Sequence, residues 1–131
     1  MDFNLSVGMS AKVDMKVALK DTAFSFGSGG VKVLATPMMI GLMENAAFHA
    51  VDSKLPEGYT TVGTHLDVKH LSATPIGMKV NAEAELTRIE GKKLLFNVIA
   101  YDEKEKVGEG THTRYIIAED SFIQKTNEKL K

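Results

Sequence analysis

The stretch that most constrains the fold is Ala35 to Val51, ATPMMIGLMENAAFHAV. It predicts one helix with a nearly complete apolar surface. Thr36 is placed to act as its N-cap, and Pro37 falls in the first turn, where a missing N–H costs least. Met38, Met39, Leu42, Met43, Ala46, Ala47, Ala50 and Val51 recur at the three-and-four spacing of a buried stripe. Ile40, Gly41 and Phe48 fill much of the remaining circumference. A helix that is apolar nearly all round must be wrapped by other structure. Glu44 breaks the pattern. Its neighbours three and four positions away are Ile40, Gly41, Ala47 and Phe48, so a carboxylate there loses hydration and needs a partner. Either it lies on a narrow solvent-facing strip with Asn45 and Asp52, or it is a reactive carboxylate beside a cavity.

The covering structure is predicted to be a sheet. Residues 12 to 19, KVDMKVAL, alternate as a half-buried strand with Val13, Met15, Val17 and Leu19 on one face. Next comes DTAFSFGSGGVKVLA, with Phe24 and Phe26 ahead of Gly27, Gly29 and Gly30. It lacks the spacing of a phosphate-binding loop and reads as a glycine-hinged connection, placed to act as a lid over a pocket. After the helix, Leu55 to Gly58 form a turn. Four strands are expected to follow, at Thr60–Leu71, Gly77–Glu90, Lys92–Asp102 and Val107–Ala118. In the first, Val62, Thr64, Leu66, Val68 and His70 share a face; in the second, Met78, Val80, Ala82, Ala84 and Leu86 do. The third is apolar on both faces, as an inner strand is. Gly108 and Gly110 in the last mark bulges or a close approach. The tail is expected to hold a short helix starting near Asp120 or Ser121. Strand, long helix, then strands joined by short turns is α+β with an antiparallel sheet. A sheet curled around one central helix is the hotdog architecture.

Bulk properties limit what this domain does. At 131 residues the chain, residues 1 to 131, is most simply one domain. A net charge of −1 implies no broad attraction to nucleic acid or to an anionic membrane. With no cysteine, disulfides and thiol chemistry are excluded. No apolar run is long enough to span a bilayer, and MDFNLSVGMSAK lacks the layout of a signal peptide. The expected location is cytoplasmic.

His70 is the candidate acid or base, a histidine in an apolar strand register. A satisfied structural histidine is the competing reading. His65 falls on the opposite face, and His49 and His112 have no comparable setting. Without Cys, an HExxH motif or helical histidines four apart, no metal site is expected. Thr36, at the positive end of the helix, is also positioned to help hold a carbonyl oxygen as negative charge develops. Thr36 and Glu44 are eight residues apart, about 12 Å along one helix axis. That is too far for one hydrogen-bonded constellation. Two helices running antiparallel across a twofold axis would bring Thr36 of one copy near Glu44 of the other, giving two sites per C2 dimer.

ATPMMIGLMENAA, with VGTHLDVKHLSATPIG and VGEGTHTR, resembles the fluoroacetyl-CoA thioesterase-like family of hotdog proteins over most of the chain. Thr36, Glu44 and His70 match its catalytic trio in type and spacing. The resemblance implies an acyl-CoA thioesterase acting as a homodimer, with strand edges that permit a dimer of dimers. It implies no cofactor, CoA being part of the substrate. Gly63 matches a position beside the bound acyl group. Arg114 is a candidate contact to the CoA phosphates, and Phe26 is a candidate substrate contact from the lid. The fluoroacetyl-selective branch of the family carries gating aromatics immediately before the helix; here that segment is FGSGGVKVLA, with Phe24 and Phe26 further back. The implied substrate is therefore a small or medium acyl-CoA. A hotdog hydratase or dehydratase, and a non-catalytic acyl-CoA-binding module, are the alternatives.

Overall fold

The computed structural model describes residues 3–131; Met1 and Asp2 of the opening stretch lie outside the described residues. One antiparallel sheet is built from β1 (Ser10–Lys16), β2 (Tyr59–His70), β3 (Lys79–Glu90), β4 (Lys93–Asp102) and β5 (Lys106–Ala118). Their spatial order is β1-β3-β4-β5-β2. The helices are α1 (Ala23–Phe26), α2 (Thr36–Val51) and α3 (Glu119–Asn127). This is the expected hotdog arrangement, with α2 packed on one face of the sheet.

The alternation in β3 positions the core. Val80, Ala82, Ala84 and Leu86 are all buried, as are Leu94, Phe96, Val98 and Ala100 of the central strand β4. They meet Met39, Met43, Ala46, Ala47, Ala50 and Val51 of α2 in one cluster. Alanines on both surfaces let helix and sheet approach closely, so modest side chains fill the interior. Met38 and Leu42, expected in the stripe, are only partly buried at its margin. The helix lies mainly across β3 and β1. The helix-facing side of edge strand β2 is therefore left half open, and Leu66 is 38% exposed there.

Strand β2 departs from its expected pattern. Its register against β5 shifts between Gly63 and His65. A bulge adds one residue and exchanges the two faces. Beyond it, Leu66, Val68 and His70 do share a face, opposite His112, Gly110 and Gly108. Before it, the inward residues are Thr61 and Gly63, opposite Ile116 and Arg114, rather than Val62 and Thr64. The bulge thus puts a glycine at the point where α2 comes nearest.

Two glycines on β5 are required by their surroundings. A Cβ on Gly108 would lie 2.5 Å from the Met39 sulfur, so the missing side chain makes room for a core methionine. A Cβ on Gly110 would collide with the backbone carbonyl of Asp67 and lie 2.6 Å from the Val68 Cα. Main chain cannot rotate aside as a methionine can. Gly110→Ala is expected to destabilise the fold by about 1–3 kcal/mol, as overpacking does, measured by urea denaturation. An unchanged midpoint would contradict this account of β5.

Candidate active site

The N-terminus of α2 is fixed from two sides, by residues 21–22 and by residues 74–75. The Ala35 N–H bonds to the Asp21 carbonyl and the Leu34 N–H to the Thr74 carbonyl, each at 2.9 Å. Isolated bridges join Thr22 to Leu34 and Val33 to Pro75. The N-cap residue is Ala35, without a side-chain cap, and Thr36 is the first helical residue. The expectation of Thr36 as N-cap is therefore corrected. With helical backbone angles its hydroxyl no longer reaches over the first free N–H groups. It meets His70 instead, with Thr36 Oγ1 2.7 Å from His70 Nδ1.

His70 ends β2, where the Leu71 N–H bonds to the Val107 carbonyl. Burial pulls its pKa below the ordinary histidine value, and the Ser72 backbone offsets part of that. Its Nε2 is buried without a hydrogen-bond partner among the described residues. Thr36 and His70 open into a cleft of about 670 Å³, rimmed by Gly29, Gly30, Pro37 and Ser72. The glycine-rich segment does lie over this cleft. A larger depression, about 920 Å³, lies on the far face of the sheet among Lys12, Glu83 and Asn97. It contains no imidazole, and we place the chemistry in the smaller cleft because Thr36 and His70 line it.

Glu44 faces a different group. Its Oε2 is 3.9 Å from Arg114 Nη1, with the Glu44 side chain 38% exposed and that of Arg114 8%. It is thus neither in bulk water nor sealed in the core, and the partner its apolar neighbours demand is a guanidinium. A Cβ on Gly63 would lie 2.8 Å from Glu44 Oε2 and 3.0 Å from His112 Cε1. Only glycine lets the carboxylate settle against β2 there. Arg114 is anchored by Thr61, through Nε to Oγ1 at 2.8 Å and Nη2 to the carbonyl at 2.9 Å.

These contacts revise two expectations. Arg114, expected within reach of CoA phosphates, is buried on the helix-facing side of β5 beside Glu44. The strand alternation that buries Ile116 turns Arg114 inward as well. Phe26, expected to touch substrate, is 52% exposed and does not line the cleft. It closes the four-residue helix α1, which ends in a left-handed turn at Gly27, and its ring is left at the surface. One residue was missed. His112 is fully buried, with Nδ1 2.8 Å from the His65 carbonyl and Nε2 3.2 Å from Arg114 Nη1. Counting inward positions back from Ile116 in twos reaches both Arg114 and His112. Among the described residues, no group of three or more His, Asp or Glu is placed to hold a metal ion, and no helix is long and apolar enough to cross a membrane.

Comparison with known proteins bears on this geometry. Residues 17–120 match the family model described as fluoroacetyl-CoA-specific thioesterase. A fluoroacetyl-CoA thioesterase of Streptantibioticus cattleyicolor is 40% identical over 98 residues, 75% of this chain and 70% of that protein. Among solved structures, a mutant of the fluoroacetyl-CoA-specific thioesterase FlK in complex with fluoroacetate and CoA superposes with a TM-score of 0.85. It is 34% identical, over 90% of this chain and 99% of that one. A hot-dog-like protein from Thermanaerovibrio acidaminovorans gives a TM-score of 0.89 at 27% identity, over 100% of this chain and 98% of that one.

The fully buried His112 and the half-buried His70 make stability depend on pH. Burial lowers the pKa of His112 as it does that of His70, and the Arg114 charge adds to the effect. As pH falls, the unfolded chain takes up these protons first, from about 6.5. Stability is therefore full above that pH and declines below it. The melting temperature is expected to fall between about pH 6.5 and 5, ahead of ordinary carboxylates. A His70→Gln, His112→Gln double variant is expected to show a shallower fall. Identical slopes would contradict the assignment.

Proposed function

The chain belongs to the fluoroacetyl-CoA-specific thioesterase family, and on that premise we propose that it hydrolyses small or medium acyl-CoA thioesters at a site shared by two copies of a single-domain chain. The observation that carries this reading is the division of the site residues. Thr36 and His70 are bonded to each other at 2.7 Å, while Glu44 stands about 12 Å along the same rigid helix and faces Gly63 and Arg114. A second, antiparallel copy of α2 supplies the missing carboxylate to each Thr36–His70 pair. The half-open inner side of β2 leaves room for that copy. Strand β2 lies at the sheet edge with twelve residues, long enough to pair with itself across a twofold axis.

The thioester carbonyl lies against the positive end of α2, which favours negative charge developing on oxygen. Glu44 of the other copy either attacks the carbonyl carbon, giving an acyl anhydride on its carboxylate that water then hydrolyses, or takes a proton from a water that attacks in its place. The carbon–sulfur bond breaks and CoA departs as a thiolate. Neutral His70, its pKa lowered by burial, relays to the sulfur the one proton that water gives up, received through Glu44 in the water route or from the hydrolysing water in the anhydride route, and Thr36 orients the ring. The products are a carboxylic acid and CoA. No metal or organic cofactor takes part; CoA enters as part of the substrate and leaves as a product.

Glu44→Ala is expected to lower kcat in a thiol-release assay by roughly 10²- to 10⁴-fold, the usual contribution of a positioned acid or base. Its oligomeric state by light scattering is expected to be unchanged. The assay is run over acyl-CoAs from acetyl to long chain, with halogenated and aryl members, which also ranks the substrates. Near-normal turnover in the folded variant would eliminate the carboxylate mechanism.

A further inference from the structure

We propose that His112 is a positioning residue for this hydrolysis: it holds the Arg114 guanidinium beside Glu44 without letting the two close into a direct hydrogen bond. The inference rests on the role proposed above for Glu44. The first observation is the tautomer. The His65 carbonyl only accepts, so His112 Nδ1 carries the proton in their 2.8 Å bond. The other nitrogen is left as an acceptor, and it takes the Arg114 Nη1–H at 3.2 Å. The ring is neutral and fixed at both nitrogens, and it is fully buried.

The second observation is where the guanidinium spends its donors. Three of its five N–H groups are committed, Nε–H and one Nη2–H to Thr61 and one Nη1–H to His112. None is committed to Glu44, which stays 3.9 Å from Nη1, beyond hydrogen-bond reach. The carboxylate therefore feels a nearby positive charge and keeps its lone pairs free to react. Without an acceptor at the His112 Nε2 position, Nη1 would lose its one hydrogen-bonded anchor, a costly state for a buried donor. The nearest remedy is a shift onto Glu44. A direct charge-assisted bond would then occupy the oxygen that has to attack or take a proton.

The outer partner of a reacting group is worth testing with substitutions that divide the two functions of the ring. His112→Gln can place an amide oxygen near the lost Nε2 and keep an acceptor for Arg114. His112→Asn can replace only the Nδ1 donor and keep the bond to the His65 carbonyl. Thiol release is measured with the best-hydrolysed member of a series from acetyl-CoA to octanoyl-CoA, for wild type, Glu44→Ala and both variants, with a melting temperature for each. His112→Asn is expected to lose roughly 10- to 100-fold in kcat, the scale of a small misplacement of reacting groups, with little change in KM. His112→Gln is expected to stay near wild type. Equal rates in the Asn and Gln variants, with Glu44→Ala inactive, would overturn this inference alone and leave His112 a packing residue. A fully active Glu44→Ala would overturn the proposed function and this inference with it.

Discussion

A rigid helix holds its residues at fixed separations, and α2 is held especially firmly. Six of its residues are buried against the sheet, so neither end can bend to meet the other. Thr36 and Glu44 belong to the same helix and to different neighbourhoods. One is bonded to an imidazole at the rim of a cleft; the other lies over Gly63 against a guanidinium. The tight alanine and methionine packing that stabilises the monomer is what keeps these groups apart. On the proposed reading the reacting constellation comes into being only when a second copy docks.

The Glu44 neighbourhood is built in a way that stability alone does not require. Burying a guanidinium and an imidazole costs desolvation, and well-packed apolar groups of similar volume are often as stable. Here each nitrogen of the buried Arg114 guanidinium gives one N–H to an acceptor, in Thr61 or in His112. The bulge in β2 is part of the same construction. It brings Gly63 rather than a larger residue under the carboxylate, and the His65 carbonyl at its other side accepts the hydrogen bond from His112 Nδ1–H. A satisfied polar network of this kind fixes positions closely. A site that must hold a carboxylate near a positive charge without tying it down gains from that.

Much of this was legible in the chain itself. The helical stripe from Met39 to Val51 and the alternation of Val80, Ala82, Ala84 and Leu86 are strong periodic signals, and both end in the core. His70 stood out because it continues an apolar register. The bulge did not, because one extra residue in a strand leaves no mark in composition while it exchanges the faces on either side. Strict alternation puts Val62 and Thr64 inward for that reason. Arg114 and His112 were hard to read because they sit in GTHTR, where every neighbour is polar and no apolar alternation declares the inward face. The register had to come from Ile116, two residues further on. Phe26 misled in the opposite sense, since an aromatic side chain near a pocket suggests contact, and its direction was set by the short turn that ends at Gly27.

The central claim is that the residues of one reacting site come from two chains, and subunit mixing tests it most directly. Thr36→Ala and Glu44→Ala chains, each inactive alone, are unfolded together, refolded and assayed for thiol release. In a mixed dimer one site collects both lesions and the other collects neither. Random pairing of equal amounts then restores about a quarter of wild-type activity, since half the dimers are mixed and each has one intact site of two. If Thr36, His70 and Glu44 served one site within a single chain, every site would carry a lesion. A mixture containing verified mixed dimers that stays inactive would contradict the account.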